Sequence, residues 1–513
     1  MTSDRAGKRR SLAANSLFSV LAWIFPILLG FFSTPILVRY LGHEQYGLFA
    51  LVLGFISYSF TFGIGKVAGK YVPEYRASGE TEQVTQVVAA TFRLSLGFGL
   101  LGAAILAATA PLIVEWILLV PAESQEAAAT ALRIAAAIGL AIMLSQVFQF
   151  VLQGLHRFDN YVTLTNLSGL CLGVGNIILA LKGFGVNSLL AWNLAVVSVT
   201  GLLFYLRARY LLPSISFTTE VPRSMMATVV RYAGHILLYQ IFANVLFIFE
   251  RSWIVRKFGA EALTYYFVPM LLATYMHGFI SSLVQAIFPV VNEMIENPDR
   301  IAEMYRRANK IILAIVVFTV TNFIVCGDLF LRLWVGGEVA AESYTLLIPH
   351  GLTFAVICIG IMAFQLSEVF KFPVLNVIMT GSWMALGVPL MIIGADIWQS
   401  EGVAWARFAA ALVTFPIVAY TELRFLGKIQ FRFWAAIASR VLLAAAAMAG
   451  VELLILRAIG GSYLSLISAG IAGGLIFAAA LAITRFLTPQ DREIVKRSIF
   501  RRSHTEARIK LQD

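Results

Sequence analysis

Apolar residues run along this chain in stretches of roughly 20 to 30, divided by short polar turns, almost without interruption from Ser11 to Leu487. Crossing roughly 30 Å of hydrocarbon takes about 20 such residues in a helix, and about fourteen stretches qualify. Backbone polar groups in lipid must be bonded within their own segment, so each stretch is predicted to be helical. The predicted fold class is therefore an all-α polytopic membrane protein. The third stretch is blurred at its end by Pro111 and by Glu115 and Trp116, and the fifth and sixth are divided only between Lys182 and Asn187.

The polar turns are not equivalent. With Met1 in the cytoplasm, about 26 of the basic residues fall at cytoplasmic ends, about 6 on the other side and about 7 inside spans. Arg207, Arg209 and Arg223, then Arg306, Arg307 and Lys310, then the tail from Arg492 to Lys510 carry this bias, while the turns near Glu115–Glu126 and Asp396–Glu401 are acidic. Both termini are thus expected to be cytoplasmic. Composition agrees, with 59% hydrophobic and 13% charged residues. The net charge of +11 needs no nucleic-acid partner, because a well-oriented membrane protein shows the same bias; the tail (Lys496, Arg497, Arg501, Arg502) suits anionic lipid. No cleavable signal peptide is expected, since the first run is long and holds Pro26. Cys171, Cys326 and Cys358 show no paired spacing and read as small apolar residues.

A short repeat divides the chain. Val38-Arg39-Tyr40-Leu41-Gly42-His43-Glu44 follows the first span, and Val255-Arg256-Lys257-Phe258-Gly259-Ala260-Glu261 follows the seventh, at an offset of about 217 residues. Pro73 and Pro289 close the next spans at similar distances. Duplicated six-span halves enter the membrane the same way round and are related by an axis along the membrane normal. The expected organisation is a basic N-terminus (1–11), a lobe of six spans (12–210), a linker (211–226) with Pro213 and Pro222, a second lobe (227–425), two extra spans (426–487) and a basic tail (488–513). Arg39, Gly42, Arg256 and Gly259 are expected to be structural turn residues, with the two arginines near Glu44 and Glu261.

The run Pro35-Ile36-Leu37-Val38-Arg39-Tyr40-Leu41-Gly42-His43-Glu44-Gln45-Tyr46-Gly47 resembles the first external turn of polysaccharide-transport (O-antigen-type) flippases, in the multidrug/oligosaccharidyl-lipid/polysaccharide exporter superfamily. Phe62-Gly63-Ile64-Gly65 with Lys70-Tyr71-Val72 is similar to that family's second span, and Glu250-Arg251 ahead of Phe258-Gly259 to its seventh. The resemblance implies two pseudo-symmetric six-helix lobes in a V, a central cavity, two added C-terminal helices and alternating access. It implies a polyprenyl-pyrophosphate-linked oligosaccharide as substrate, a bacterial or archaeal plasma (inner) membrane, and membrane lipids and other glycan-assembly membrane proteins as neighbours. A monomer without cofactor or metal is expected. Lys66 departs from the family pattern, which favours a small or polar residue there.

Charges inside spans are costly and usually face a cavity or a partner. Lys66, Arg251, Arg93 and Arg133 are the candidate cations for a diphosphate, and Arg231 and Arg407 lie nearer an interface. Lys66 and Lys70 are expected on one helix face with Ser59 and Gly63. Gln149, Gln153, Asn166, Gln240, Asn244, His277 and Ser281 fall on polar stripes suited to sugar hydroxyls. Glu250, about 100° from Arg251 around the helix, is expected to pair with another helix or to take part in ion coupling. The plainer readings stand beside these. Lys66 lies roughly 9 Å from its cytoplasmic end and can snorkel to the headgroups, and polar stripes also occur at ordinary helix contacts. A drug or small-solute antiporter of the same superfamily is the transport alternative, disfavoured by the scarcity of intramembrane carboxylates. A membrane-embedded enzyme or scaffold of glycan assembly is the other; the six histidines are scattered without metal-ligand spacing, and no enzymatic activity is expected.

Overall fold

The computed structural model describes residues 12–59, 63–216, 219–293, 298–370 and 372–486, with side chains from Ile27 onward except at 58–59, 235–239, 285–293 and 298. The basic ends expected at 1–11 and 488–513 lie outside the described residues, as does the side chain of Pro289. Every regular element among the described residues is helical: α1 (Leu12–Leu41), α2 (His43–Ser59), α3 (Lys66–Ala77), α4 (Thr81–Leu112), α5 (Ala122–Gly154), α6 (Phe158–Leu181), α7 (Val186–Leu211), α8 (Arg223–Glu293), α9 (Pro298–Val325), α10 (Gly327–Trp334), α11 (Gly337–Val369), α12 (Val374–Ala411), α13 (Thr414–Leu426), α14 (Phe431–Ile459) and α15 (Tyr463–Ile483). A π-helical turn, Ile113–Ile117, extends α4.

Two of these helices are doubled. At 71 residues α8 would span about 106 Å if straight, several times a bilayer. It breaks at Gly259 and folds back, so that Tyr266 donates to Glu250 and Arg251 lies 4.8 Å from the Phe267 ring centre. Likewise α12 breaks at Trp398 and Gln399, which brings the backbones of Gly394 and Gly402 into contact. Among the described residues ten stretches are long and apolar enough to cross a membrane, and two of the ten, Gln240–Val284 and Val374–Leu426, contain these reversals.

The repeat has a backbone counterpart. Gly42 (φ 79°) ends α1, and Gly259 (φ 86°) divides α8 at the matching point of the second lobe. Nothing lies within 4 Å of the missing Cβ at either site, so glycine is needed there for its left-handed backbone and not for space. We call this end of the bundle the turn end, and the end holding the α7–α8 connection the linker end.

One expectation fails in the second span. Gly63 takes φ 66°, and a new helix starts at Lys66. Ser59 and Gly63 therefore do not share a helix face with Lys66 and Lys70. The left-handed glycine resets the direction of the chain, which a periodicity argument misses.

Among the described residues packing falls into three cores. The largest joins Leu37, Tyr46 and Ala50 of α1 and α2 to Ile254, Leu263 and Met270 of α8 and to Leu347 of α11, so it runs across the seam between lobes. A second lies at the linker end of the first lobe and includes Val67, Val84, Val151 and Phe204, together with Met225, Val229 and Ala233 from the first turns of α8. A third seats α14 and α15 on α9 through Leu313, Val441, Met448 and Phe477. Large apolar residues are also exposed at helical spacing, as with Ile467, Ile471 and Leu475 on α15. Lipid is as apolar as these side chains, so they form the outer face, and association rests on close packing and polar contacts.

Candidate functional site

Glu250 and Arg251 are consecutive, so their side chains leave α8 about 100° apart. Glu250 turns into the second lobe and is fully buried. It pairs with Arg407 of α12 and accepts from the Tyr266 hydroxyl. Arg407 in turn lies 4.2 Å from the Phe247 ring centre and 5.3 Å from that of Phe354, so its charge is enclosed by one carboxylate and two aromatic faces.

Arg251 turns the other way, into the seam. It is 6% exposed, packs on Phe267, and presses so closely on α2 that a Cβ at Gly54 would lie 2.8 Å from its Cδ. Around it the lobes are closed at the turn end. The Gly47 backbone touches that of Ala260, and Thr264 donates to the His43 carbonyl at 2.5 Å. Trp334 donates to the Phe31 carbonyl at 2.9 Å while their rings stack at 5.0 Å. Arg256 donates to the carbonyls of Trp116 and Ile117 at 2.6 and 3.0 Å. That last contact differs from the expected one near Glu261. The π-turn ends α4 and frees carbonyls that an arginine can satisfy, whereas Glu261 is already engaged by Tyr265 and His43. Arg39 is exposed at the same end.

Lys66 sits nearer the linker end as the first residue of α3. It is solvent-exposed although densely surrounded by protein, and Glu368 of α11 is its electrostatic partner across the seam. One turn on, Lys70 lies over the rings of Tyr71 and Tyr232 at 4.6 and 4.3 Å. The seam thus has two cationic levels, one open to solvent and one sealed.

Over residues 12–295 the chain matches the polysaccharide biosynthesis protein family. The chain belongs to that family. A protein of Shigella flexneri named putative O-antigen transporter is 20% identical over 343 residues, which are 66% of this chain and 80% of the relative. Among solved structures, the lipid II flippase MurJ in an inward closed conformation superposes with TM-score 0.70 at 15% identity, covering 90% of this chain and 98% of that one. An inward-facing multidrug resistance transporter of the MATE family gives TM-score 0.66 at 17% identity, covering 80% and 98%. At these identities the two structures establish a shared fold.

In this member of the polysaccharide biosynthesis family the remaining candidates are dispersed. Arg93 is exposed and donates to the Thr219 carbonyl of the linker at 2.7 Å. Arg133 is exposed on α5. Gln149 donates to Ser145 at 3.0 Å, and Gln153 and Gln240 are half-buried. Asn166 Oδ1 and Asn244 Nδ2 are buried without a partner among the described residues. His277 and Ser281 sit 3.4 Å apart, with His277 against Phe354. None of these lines either of two clefts: one of about 590 Å³ lined by Asp159, Asn160, Arg207 and Tyr210, and an apolar one of about 440 Å³ beside Glu422 and Trp434. Sequence reasoning missed the roles of Arg407 and Glu368. Arg407 looked like an interfacial arginine, and its partner is 157 residues away in the chain. It also missed that His43, Glu261 and Glu338, from α2, α8 and α11, converge at the turn end.

Proposed function

We propose that this protein is a flippase of the plasma (inner) membrane, carrying a polyprenyl-pyrophosphate-linked oligosaccharide from the cytoplasmic to the external leaflet by alternating access. The observation that carries this reading is the pair of cationic levels in the seam, read together with family membership. A diphosphate leaving water needs fixed cations, since its desolvation is otherwise prohibitive. Lys66, open towards the linker end, captures the diphosphate. Arg251, sealed in this state, receives it after the lobes rock. The lobes are 12–210 and 227–425, joined by 211–226, with 426–487 as two added spans. The linker end is cytoplasmic, with both termini, and the turn end is external. Gln149, Gln153, Asn166, Gln240, Asn244, His277 and Ser281 offer amide, imidazole and hydroxyl groups to the glycan as the seam opens, while Arg93 and Arg133 add positive charge. The lipid tail stays in the bilayer, and no covalent step is required. A drug-cation antiporter needs an available carboxylate in the seam; Glu250 is neutralised by Arg407, and Glu368 interacts electrostatically with Lys66.

Complementation of a deletion strain tests the reading. Each charge-assisted contact is worth about 1.5–3 kcal/mol, so Lys66→Gln and Arg251→Gln should each weaken capture roughly 10- to 150-fold at normal membrane abundance. Normal export by both variants removes the cation assignment. Full-length lipid-linked glycan held on the cytoplasmic side of the deletion strain supports a flippase. A truncated glycan points to an enzyme, and altered drug resistance alone to an antiporter.

A further inference from the structure

We propose that His43, Glu261 and Glu338 form a binding site for a divalent transition-metal ion of the zinc type, complete only when the two lobes are closed at the turn end. The donors come from both lobes: His43 opens α2, Glu261 follows the Gly259 break in α8, and Glu338 opens α11. His43 Nδ1 lies 3.5 Å from Glu261 Oε1 and 3.8 Å from Glu338 Oε1, and the three donor atoms all fall within 4.8 Å of one another. Ligands bound tetrahedrally at about 2.0–2.2 Å sit about 3.3–3.6 Å apart, so rotation of two exposed glutamates closes the remaining gap. One imidazole with two carboxylates is a donor set that suits such an ion and leaves one position for water.

The surroundings are built for this arrangement. His43 is held from behind, because Thr264 donates to its carbonyl and the neighbouring Gly47 backbone rests on Ala260. Tyr265 donates to Glu261 at 2.7 Å, which orients that ligand and leaves the hydroxyl placed to support a bound carboxylate from outside; its 3.0 Å contact with His43 Nδ1 gives way when that nitrogen takes the metal. Charge points the same way. Glu342 follows Glu338 by one turn of α11, and among the described residues no lysine or arginine forms a salt bridge with Glu261 or Glu338. A dication supplies the missing positive charge. Because it bridges the lobes, it binds only one of the two states that alternating access requires and shifts the population towards that state.

The inference rests on the closure of the lobes and not on the identity of the cargo, so it is tested without a transport assay. Purified full-length protein, stripped with chelator, is titrated with zinc chloride by calorimetry and its thermal unfolding is followed. One equivalent of zinc should bind and raise the melting temperature, and magnesium should not substitute. His43→Ala should lower the affinity at least tenfold and abolish the shift. Glu338→Gln, at an exposed position that folding does not require, should lower it in the same direction, while Glu342→Gln should leave it unchanged. Absence of zinc binding, or equal binding by the wild type and the His43 and Glu338 variants, overturns the site; the second result would assign the zinc to other groups on the surface.

Discussion

At the scale of residues, a charge pair lies buried inside the second lobe. Glu250 and Arg407 are 0% and 3% exposed, and each is stable there only because the other is present. Removing one partner of such a pair costs about 3–5 kcal/mol, whereas replacing both with apolar or neutral groups of similar volume is close to neutral. Arg407→Met alone should therefore destabilise the protein strongly, lowering both melting temperature in detergent and abundance in the membrane. Glu250→Gln with Arg407→Met should restore most of the loss. If the double variant is no better than the single one, the pair has a role beyond mutual neutralisation. The sequence showed that charges inside spans demand partners, but it could not say which. Arg251 and Glu250 are adjacent yet serve different surfaces, and Arg407 became a partner only through folding over 157 intervening residues. The His43 cluster was hidden for the same reason. Its spacing in the chain resembles no metal motif, because three separate helices supply one ligand each.

Among the helices, small residues set how closely the elements approach, and two glycines near the first turn separate two causes. At Gly47 a Cβ would stand 1.7 Å from the Ala260 carbonyl oxygen, a backbone atom that cannot rotate away. At Gly42 there is open space, and the constraint is the positive φ. Gly42→Ala should thus cost about 1–2 kcal/mol of stability with little change in the balance between states. Gly47→Ala should leave a folded protein whose lobes no longer close at the turn end. Melting curves report the first effect. The second appears as faster thiol modification of a cysteine placed at Thr34, a site 3% exposed in the closed seam. Equal behaviour of the two variants would refute this division. The elements themselves were largely legible, since long apolar runs must be helical in lipid and the repeated Gly marked both turns. The break at Gly63, ahead of Lys66, was not. Apolar content stays high through it, so hydropathy reads one span where a left-handed Gly63 makes two helices.

For the whole molecule, one seam has two ends in different conditions. Backbone contact, stacked rings and cross-lobe hydrogen bonds seal the turn end, while Lys66 towards the linker end meets solvent. A carrier that alternates must exchange these conditions, and a pair of cysteine probes reads the exchange directly. In a background with Cys171, Cys326 and Cys358 replaced, Lys66→Cys should react quickly with a membrane-impermeant maleimide applied from the cytoplasmic side, in inverted vesicles. Thr34→Cys should resist it from either side in the closed state. When the lobes rock, Thr34→Cys should become reactive from the outside in right-side-out vesicles, as Lys66→Cys becomes protected from within. The opposite sidedness would place the linker end outside and reverse the orientation read from the basic residues. Simultaneous reactivity of both sites, each from its own side, would describe an open channel, because water would then reach both cationic levels at once. Alternation permits only one of them at a time, and that exclusion distinguishes a two-lobe carrier from a pore built of the same helices.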